Sequence, residues 1–373
     1  MALLKNIKPY KILGPGEHIK EFMEILNWTQ EDLASVIGIS PKHLNSIVQN
    51  KQQITFDIAK LLSKAFGHST QFWINLDTDY RIKLSKQSKE ESDVEIRTVL
   101  YKYMPIAEMN KRGWFNKTKD ATVLLDNIKK FWNKDKVDEK FFESLNEPFA
   151  LRKSDVFESF NLYYALTWLQ MAKNYSRTIK VSKFDKSQLE TLSNNINVYT
   201  MQKNGVEEFL KELEKVGVKF ILLKHLPKTY IDGAAFFDID NPVIVYTGRY
   251  NRIDHFWFTI SHEIGHILKH LNENVKEIID DEKLRDKRSK IEKEADDFAS
   301  KALKHNEIFA FFSDGMNYIT KAQILECSET LQIHQGIIIG ALAHKKTISY
   351  SQLHKFTDEI NSKIPLRYFG EQG

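Results

Sequence analysis

Hydrophobic positions between residues 15 and 84 fall into short stripes: Ile19, Phe22, Met23 and Leu26; Leu33, Ala34 and Ile37; Leu44, Ile47 and Val48; Ile58, Leu61 and Leu62. Residues three and four apart share one face of a helix, so each stripe predicts a short amphipathic helix. The punctuation agrees, with Thr29 ahead of Gln-Glu-Asp, Gly38 after the second stripe, Ser40-Pro41 opening the third and Thr55 the fourth. These residue types start and stop helices. Four short helices are therefore expected to form a small helical domain over 1–84. The run LSKQSKEESDVEI, Leu84 to Ile96, is polar and charged; it reads as a linker over 85–96 or as a solvated helix face. From 97 to 215 the pattern is again helical. Its aromatics (Trp114, Phe131, Trp132, Phe157, Tyr163, Tyr164 and Trp168) are read as the filling of a helical core.

After Gly217 the period changes. VKFILL (218–223), AAFFD (234–238) and VIVY (243–246) are separated by Pro227, Asp232-Gly233 and Asn241-Pro242, which predicts short strands. Helical spacing resumes from about Phe258 to Leu268, so a small sheet beside a long helix is expected within 216–373. The chain as a whole reads as multidomain, mainly α with a small β-sheet.

Composition narrows the classes of function. A chain of 373 residues suits two or three domains, and a net charge of +4 on 28% charged residues excludes a polycation or an acidic tail. Any nucleic-acid contact must then come from a local surface. The single cysteine, Cys327, rules out an internal disulfide and a thiolate metal site and points to the reducing cytoplasm. No leader pattern and no apolar run of membrane-spanning length is present, so a soluble, unprocessed protein with no membrane partner is expected.

The long helix carries the chemistry. It contains His262-Glu263-Ile264-Gly265-His266, and imidazoles at i and i+4 lie one above the other, able to reach one metal ion. A catalytic zinc takes three protein ligands and keeps a position for water. The third is sought in the acidic segment Glu292-Lys293-Glu294-Ala295-Asp296-Asp297-Phe298-Ala299, also helical in pattern. Glu292 is the candidate, with Glu294 its competitor. Asp296, on the face of Glu292, would accept a hydrogen bond from the free nitrogen of a ligand histidine, and Ala295 and Ala299 would let the helices approach. Glu263 is placed to act as general base in peptide hydrolysis. His334 is a candidate for stabilising the oxyanion; His270 would cap the helix or line the cleft, and His225, His255 and His305 read as surface or satisfied core residues. Manganese is an alternative ion for a two-histidine, one-carboxylate set.

A second constellation lies near the N-terminus. Gln30 to Ile37 reads as the first helix of a helix-turn-helix, Gly38 as its turn and Pro41 to Gln49 as the helix that enters the major groove. Lys42, His43, Asn45, Ser46 and Gln49 lie off the apolar face, and Gln30 joins them as a DNA-facing residue. Asn and Gln side chains can pair with adenine, while Lys42 and Lys51 can meet phosphates. The alternative for this module is dimerisation or a grip on a protein partner.

FWFTISHEIGHILKH followed by EKEADDFA resembles the ImmA/IrrE metallopeptidases, over about residues 215–345. The resemblance implies a zincin-like α+β domain with zinc held by His262, His266 and Glu292, Glu263 as catalytic residue, and a helix-turn-helix repressor as substrate. The chain departs from that pattern after Ala299, where SKALKHNEIF lacks the usual Leu-Leu-x-Pro ending, and at Gln335 and Ala341, where proline and arginine are usual. Residues 14–84, with Phe72-Trp73 and Tyr80, are similar to HigA-type antitoxins and the wider Xre/Cro repressors. That likeness implies a double-stranded operator, a homodimer on an inverted repeat and, as an alternative, an antitoxin or regulator with a toxin partner and a non-catalytic C-terminal module.

Overall fold

Five helices, not four, follow the stripes of the N-terminal segment in the computed structural model: α1 (Pro15–Leu26), α2 (Gln30–Ile37), α3 (Pro41–Val48), α4 (Phe56–Phe66) and α5 (Thr70–Leu84). Residues 13–85, 89–150, 161–272, 275, 277–281, 290–313, 319–349 and 359–370 are described. The fifth helix shows no clean apolar stripe because its buried face includes Asp77, which is 1% exposed and accepts from Arg81 Nε at 2.9 Å. A paired charge thus stands where periodicity asks for an apolar residue.

The expected caps are in place. Thr29 and Asp32 form a reciprocal capping box at α2, Gly38 ends that helix at φ 70°, and Ser40 and Thr55 accept from the backbone N–H groups of His43 and Ile58. One unforeseen tie fixes α3 against α1. Asn50, just past α3 at φ 59°, accepts from Gly16 N–H at 2.7 Å and donates to Glu17 at 2.7 Å.

The chain divides into two compact units, Met1–Ser92 and Asp93–Gly373. Helix α6 (Lys89–Tyr103) occupies the end of the stretch read as linker or helix. There follow α7 (Ile106–Lys111), α8 (Ala121–Trp132), α9 (Glu139–Ala150), α10 (Leu162–Ser176), α11 (Lys186–Asn194), α12 (Ile196–Met201) and α13 (Gly205–Lys215). Then come β1 (Lys219–Leu222), β2 (Ile231–Asp238), β3 (Asn241–Tyr246), α14 (Ile253–Lys269), β4 (Glu277–Asp281), α15 (Lys290–Ala302), α16 (His305–Phe311), α17 (Lys321–Leu331) and α18 (Gln335–His344). Strand β4 was not foreseen; its Glu-Ile-Ile-Asp-Asp is too short and acidic to announce itself. Among the described residues no helix is long and apolar enough to cross a membrane.

The sheet runs β1-β3-β2-β4, with β1 parallel to β3 and the other pairs antiparallel. Both faces are covered, which explains why its strands read as nearly continuous apolar runs. Phe220, Leu222, Ala235, Ile244 and Tyr246 pack with α13, α14 and α18 on one face, while Ile221, Ala234, Phe236, Val243 and Val245 pack with Ala165, Trp168 and Leu169 of α10 on the other. The aromatics of the middle region do build cores. Phe131 and Trp132 form one with Leu100, Met109 and Phe142, Trp114 and Tyr163 pack against it, and Trp168 donates from Nε1 to Leu223 O at 3.1 Å. Tyr164 is half-buried, and Phe157 lies outside the described residues.

Candidate functional site

Helix α14 is buried along most of its length, so its polar residues need partners. His262 and His266 lie one turn apart with their Nε2 atoms 2.9 Å from each other. From α15, Glu292 Oε2 comes within 3.3 Å of His262 Nε2 and 3.7 Å of His266 Nε2. These donor atoms all lie within 4.8 Å of one another. Small residues make this crossing close: Ala295 and Ala299 are fully buried, and a Cβ on Gly265 would meet Phe298 at 3.2 Å and Ala295 Cα at 3.3 Å.

The outer nitrogens decide which atoms face the centre. His262 Nδ1 is 3.0 Å from Asp296 Oδ1, and His266 Nδ1 is 3.0 Å from His270 Nδ1, whose own Nε2 is 3.0 Å from Glu294 Oε2. Each carboxylate can only accept, so the protons sit on His262 Nδ1 and His270 Nε2, and His270 Nδ1 takes the proton of His266 Nδ1. Both Nε2 atoms then turn lone pairs toward each other and toward the Glu292 carboxylate. Three lone-pair donors on one point suit a cation, and their spacings approach the about 3.3 Å between ligands of a tetrahedral zinc. Burial lowers the pKa of His266, keeping it neutral and ready to ligate. Glu294, the competitor for third place, instead holds His270.

Glu263 is fully buried on the sheet side of α14. Its carboxylate lies against β2 at Gly233, where a Cβ would come within 2.4 Å of Oε1 and 2.9 Å of Thr259. Next to it opens a cavity of about 650 Å³, bounded by Thr259, His255, Asp232, Asp296, Phe258 and Ile337 among others. His255 and His305 line this cavity and are not merely surface or core residues: His255 sits 4.7 Å from the Tyr250 ring and 3.8 Å from Asp232, and His305 stacks on Phe258. The signal was available in the sequence. Positions 255, 259, 262, 266 and 270 follow one another by three or four and form a single helical stripe.

His334 lies at the N-terminus of α18. It caps α18, its Nδ1 accepting from Gly336 N–H at 3.1 Å, and its backbone N–H donates to Thr200. Gly336 packs on Ile253, in the opening turn of α14, about 13 Å along the axis before His262. The ring thus serves the junction of α18 with the start of α14.

In the N-terminal unit, Lys42, Asn45 and Gln49 are exposed along α3, Lys51 is exposed just beyond it, and Gln30, His43 and Ser46 are half-buried. Gln49 Nε2 donates to Asn45 Oδ1 at 3.1 Å, joining the two amides, whereas Ser46 Oγ turns back to Lys42 O at 3.1 Å.

Comparison with known proteins agrees with this division. Residues 19–73 match the helix-turn-helix family, and residues 214–354 match the IrrE N-terminal-like domain. The chain is 32% identical over 93 residues to virulence-associated protein I of Dichelobacter nodosus, covering 25% of this chain and 84% of that protein. It is 36% identical over 59 residues to an HTH-type transcriptional regulator of Haemophilus influenzae, 16% of this chain and 55% of that one. With the HTH-type regulator YddM of Escherichia coli it shares 27% over 78 residues, 21% and 83% of the two chains. The chain therefore belongs to the proteins that join an N-terminal helix-turn-helix domain to an ImmA/IrrE-type, metallopeptidase-like domain.

Proposed function

We propose that this DNA-binding regulator is also a zinc-dependent endopeptidase that cleaves a helix-turn-helix repressor, or its own chain, to release transcription. The observation that carries the reading is the convergence of His262 Nε2, His266 Nε2 and Glu292 Oε2 beside a buried Glu263 and an open cavity. Zinc bound there would polarise a peptide carbonyl and acidify water. Asp296 and the His270–Glu294 pair keep the ligand imidazoles in the required tautomer. Glu263 takes the proton of the attacking water and returns it to the leaving amine. Manganese is the alternative occupant. We divide the work as DNA binding by 1–84, a connection over 85–96, support by 97–215 and chemistry by 216–373. Lys42, Asn45, Gln49 and Lys51 carry the main DNA contacts, with Gln30, His43 and Ser46 at their margin.

Elemental analysis of the purified chain beside His262→Ala and Glu292→Ala is the first test. About one zinc per chain, lost in both variants, and proteolysis of a co-encoded repressor abolished by Glu263→Gln would support the proposal. A second reading is a HigA-type regulator with a non-catalytic C-terminal module; two of the relatives carry the name of transcriptional regulator, over 16% and 21% of this chain. It predicts salt-dependent operator binding that is lost with Asn45→Ala/Gln49→Ala, together with no zinc and no cleavage.

A further inference from the structure

We infer that the cavity beside the metal cluster is the subsite for a basic side chain of the substrate, so that the peptide cut carries arginine or lysine next to the scissile bond. This rests on the peptidase reading above and adds its substrate class. The cavity adjoins the reacting groups on both sides. Thr259 stands one turn before Glu263 and touches the same point of β2, and Asp296 is the hydrogen-bond partner of His262. A side chain entering here belongs to a residue flanking the bond that Glu263 addresses.

Its walls select an amphipathic cation. Phe258, Ile337 and Ala341 offer an apolar surface on which methylene groups can lie. The same cavity is lined by two deeply buried carboxylates, Asp232 at 1% and Asp254 at 7% exposure, and Asp296 and the exposed Asp297 of α15 add two more. Arg252 pairs with Asp254 at 2.6 Å and Arg249 with Asp232 at 3.4 Å, so the carboxylates still outnumber the guanidinium groups. His305, which also lines the cavity, stays uncharged near neutral pH because burial pulls its pKa down to about 4. The depth has its own cause. Gly340 of α18 faces Asp254, and a Cβ there would stand 2.5 Å from Oδ2, so any side chain would intrude on the acidic wall.

The test uses three fluorescein-labelled nonapeptide pools, randomised except for a central Arg, Leu or Glu, and fluorescence anisotropy with the full-length, zinc-supplied Glu263→Gln protein. The Arg pool is expected to bind at least fivefold more tightly than the others. Asp297→Lys, an exposed and structurally mild change, should cut that advantage at least threefold, and Asp232→Asn should do the same from inside the cavity. Equal affinity for the three pools, a preference for Leu or Glu, or an Arg preference untouched by both variants overturns the inference. Digestion of the same pools by the wild-type chain separates it from its premise. Arg-pool peptides that bind with this dependence but are never cut refute the peptidase reading alone; cleavage without a basic residue at a fixed position refutes the inference alone.

Discussion

Gly233→Ala tests whether the backbone of β2 sets the position of Glu263. The added Cβ would lie 2.4 Å from Glu263 Oε1, whereas Cβ contacts below 3.0 Å essentially never occur. The carboxylate must therefore retreat by at least about 0.6 Å, and by about 1 Å to reach an ordinary contact distance. Glu263 is fully buried and Thr259 is pressed at 2.9 Å from the same point, so the movement cannot be absorbed by solvent. Overpacking of this kind costs about 1–3 kcal/mol, which lowers the melting temperature of the Asp93–Gly373 unit by about 2–8 °C. A displacement near 1 Å at a catalytic group lowers turnover about 100-fold. Zinc content should remain at the wild-type level, because Glu263 is not among the donors. The assays are calorimetry, elemental analysis and cleavage of the peptide pools. Unchanged melting and unchanged turnover would falsify the claim that β2 holds the general base; loss of zinc would show that Glu263 supports the ligands instead.

Three further outcomes are expected. His305 has its pKa lowered from 6.5 to about 4 by burial and by His344, so in the metal-free unit it costs no stability above about pH 6.5 and costs progressively more as the pH falls from there. Its share of the acid-side loss, complete below about pH 4, is about 3 kcal/mol; His305→Phe, which keeps a ring stacked on Phe258, should remove that share and flatten the slope in urea titrations across that range, and an unchanged slope would count against it. Ile239 holds φ 58° at the β2–β3 turn while 87% exposed, a left-handed conformation costly for a branched residue, so Ile239→Gly should stabilise the chain by about 1 kcal/mol; a lower denaturation midpoint would contradict this. In the N-terminal unit, Gly16→Ala places a Cβ 2.0 Å from Val48 O; forcing α1 from α3 should cost about 1–3 kcal/mol and weaken operator binding, and wild-type affinity and stability would refute it.

Local chemistry was legible wherever one element sufficed to express it. The caps Thr29, Ser40 and Thr55, the turn at Gly38, the pairing of His262 with His266 on one helix face and three of the four strands follow from spacing and backbone preference, which act over a few residues. The acidic helix after them could be read as a source of a third donor, but spacing alone left Glu292 and Glu294 in competition. They differ in direction only once α15 crosses α14 at Gly265, Ala295 and Ala299, which turns Glu292 inward and leaves Glu294 to His270. The same limit hid α5, whose stripe is broken by a paired Asp77, and strand β4, whose pairing with β2 bridges distant parts of the chain. Sequence by itself determined most of the helices and the paired imidazoles, because those depend on periodicity and side-chain type. Tertiary structure alone decided that Glu292 and not Glu294 lies beside the two imidazoles, the seat of Glu263 against Gly233 and the acidic cavity beside it, because each depends on distances between elements that no local pattern specifies.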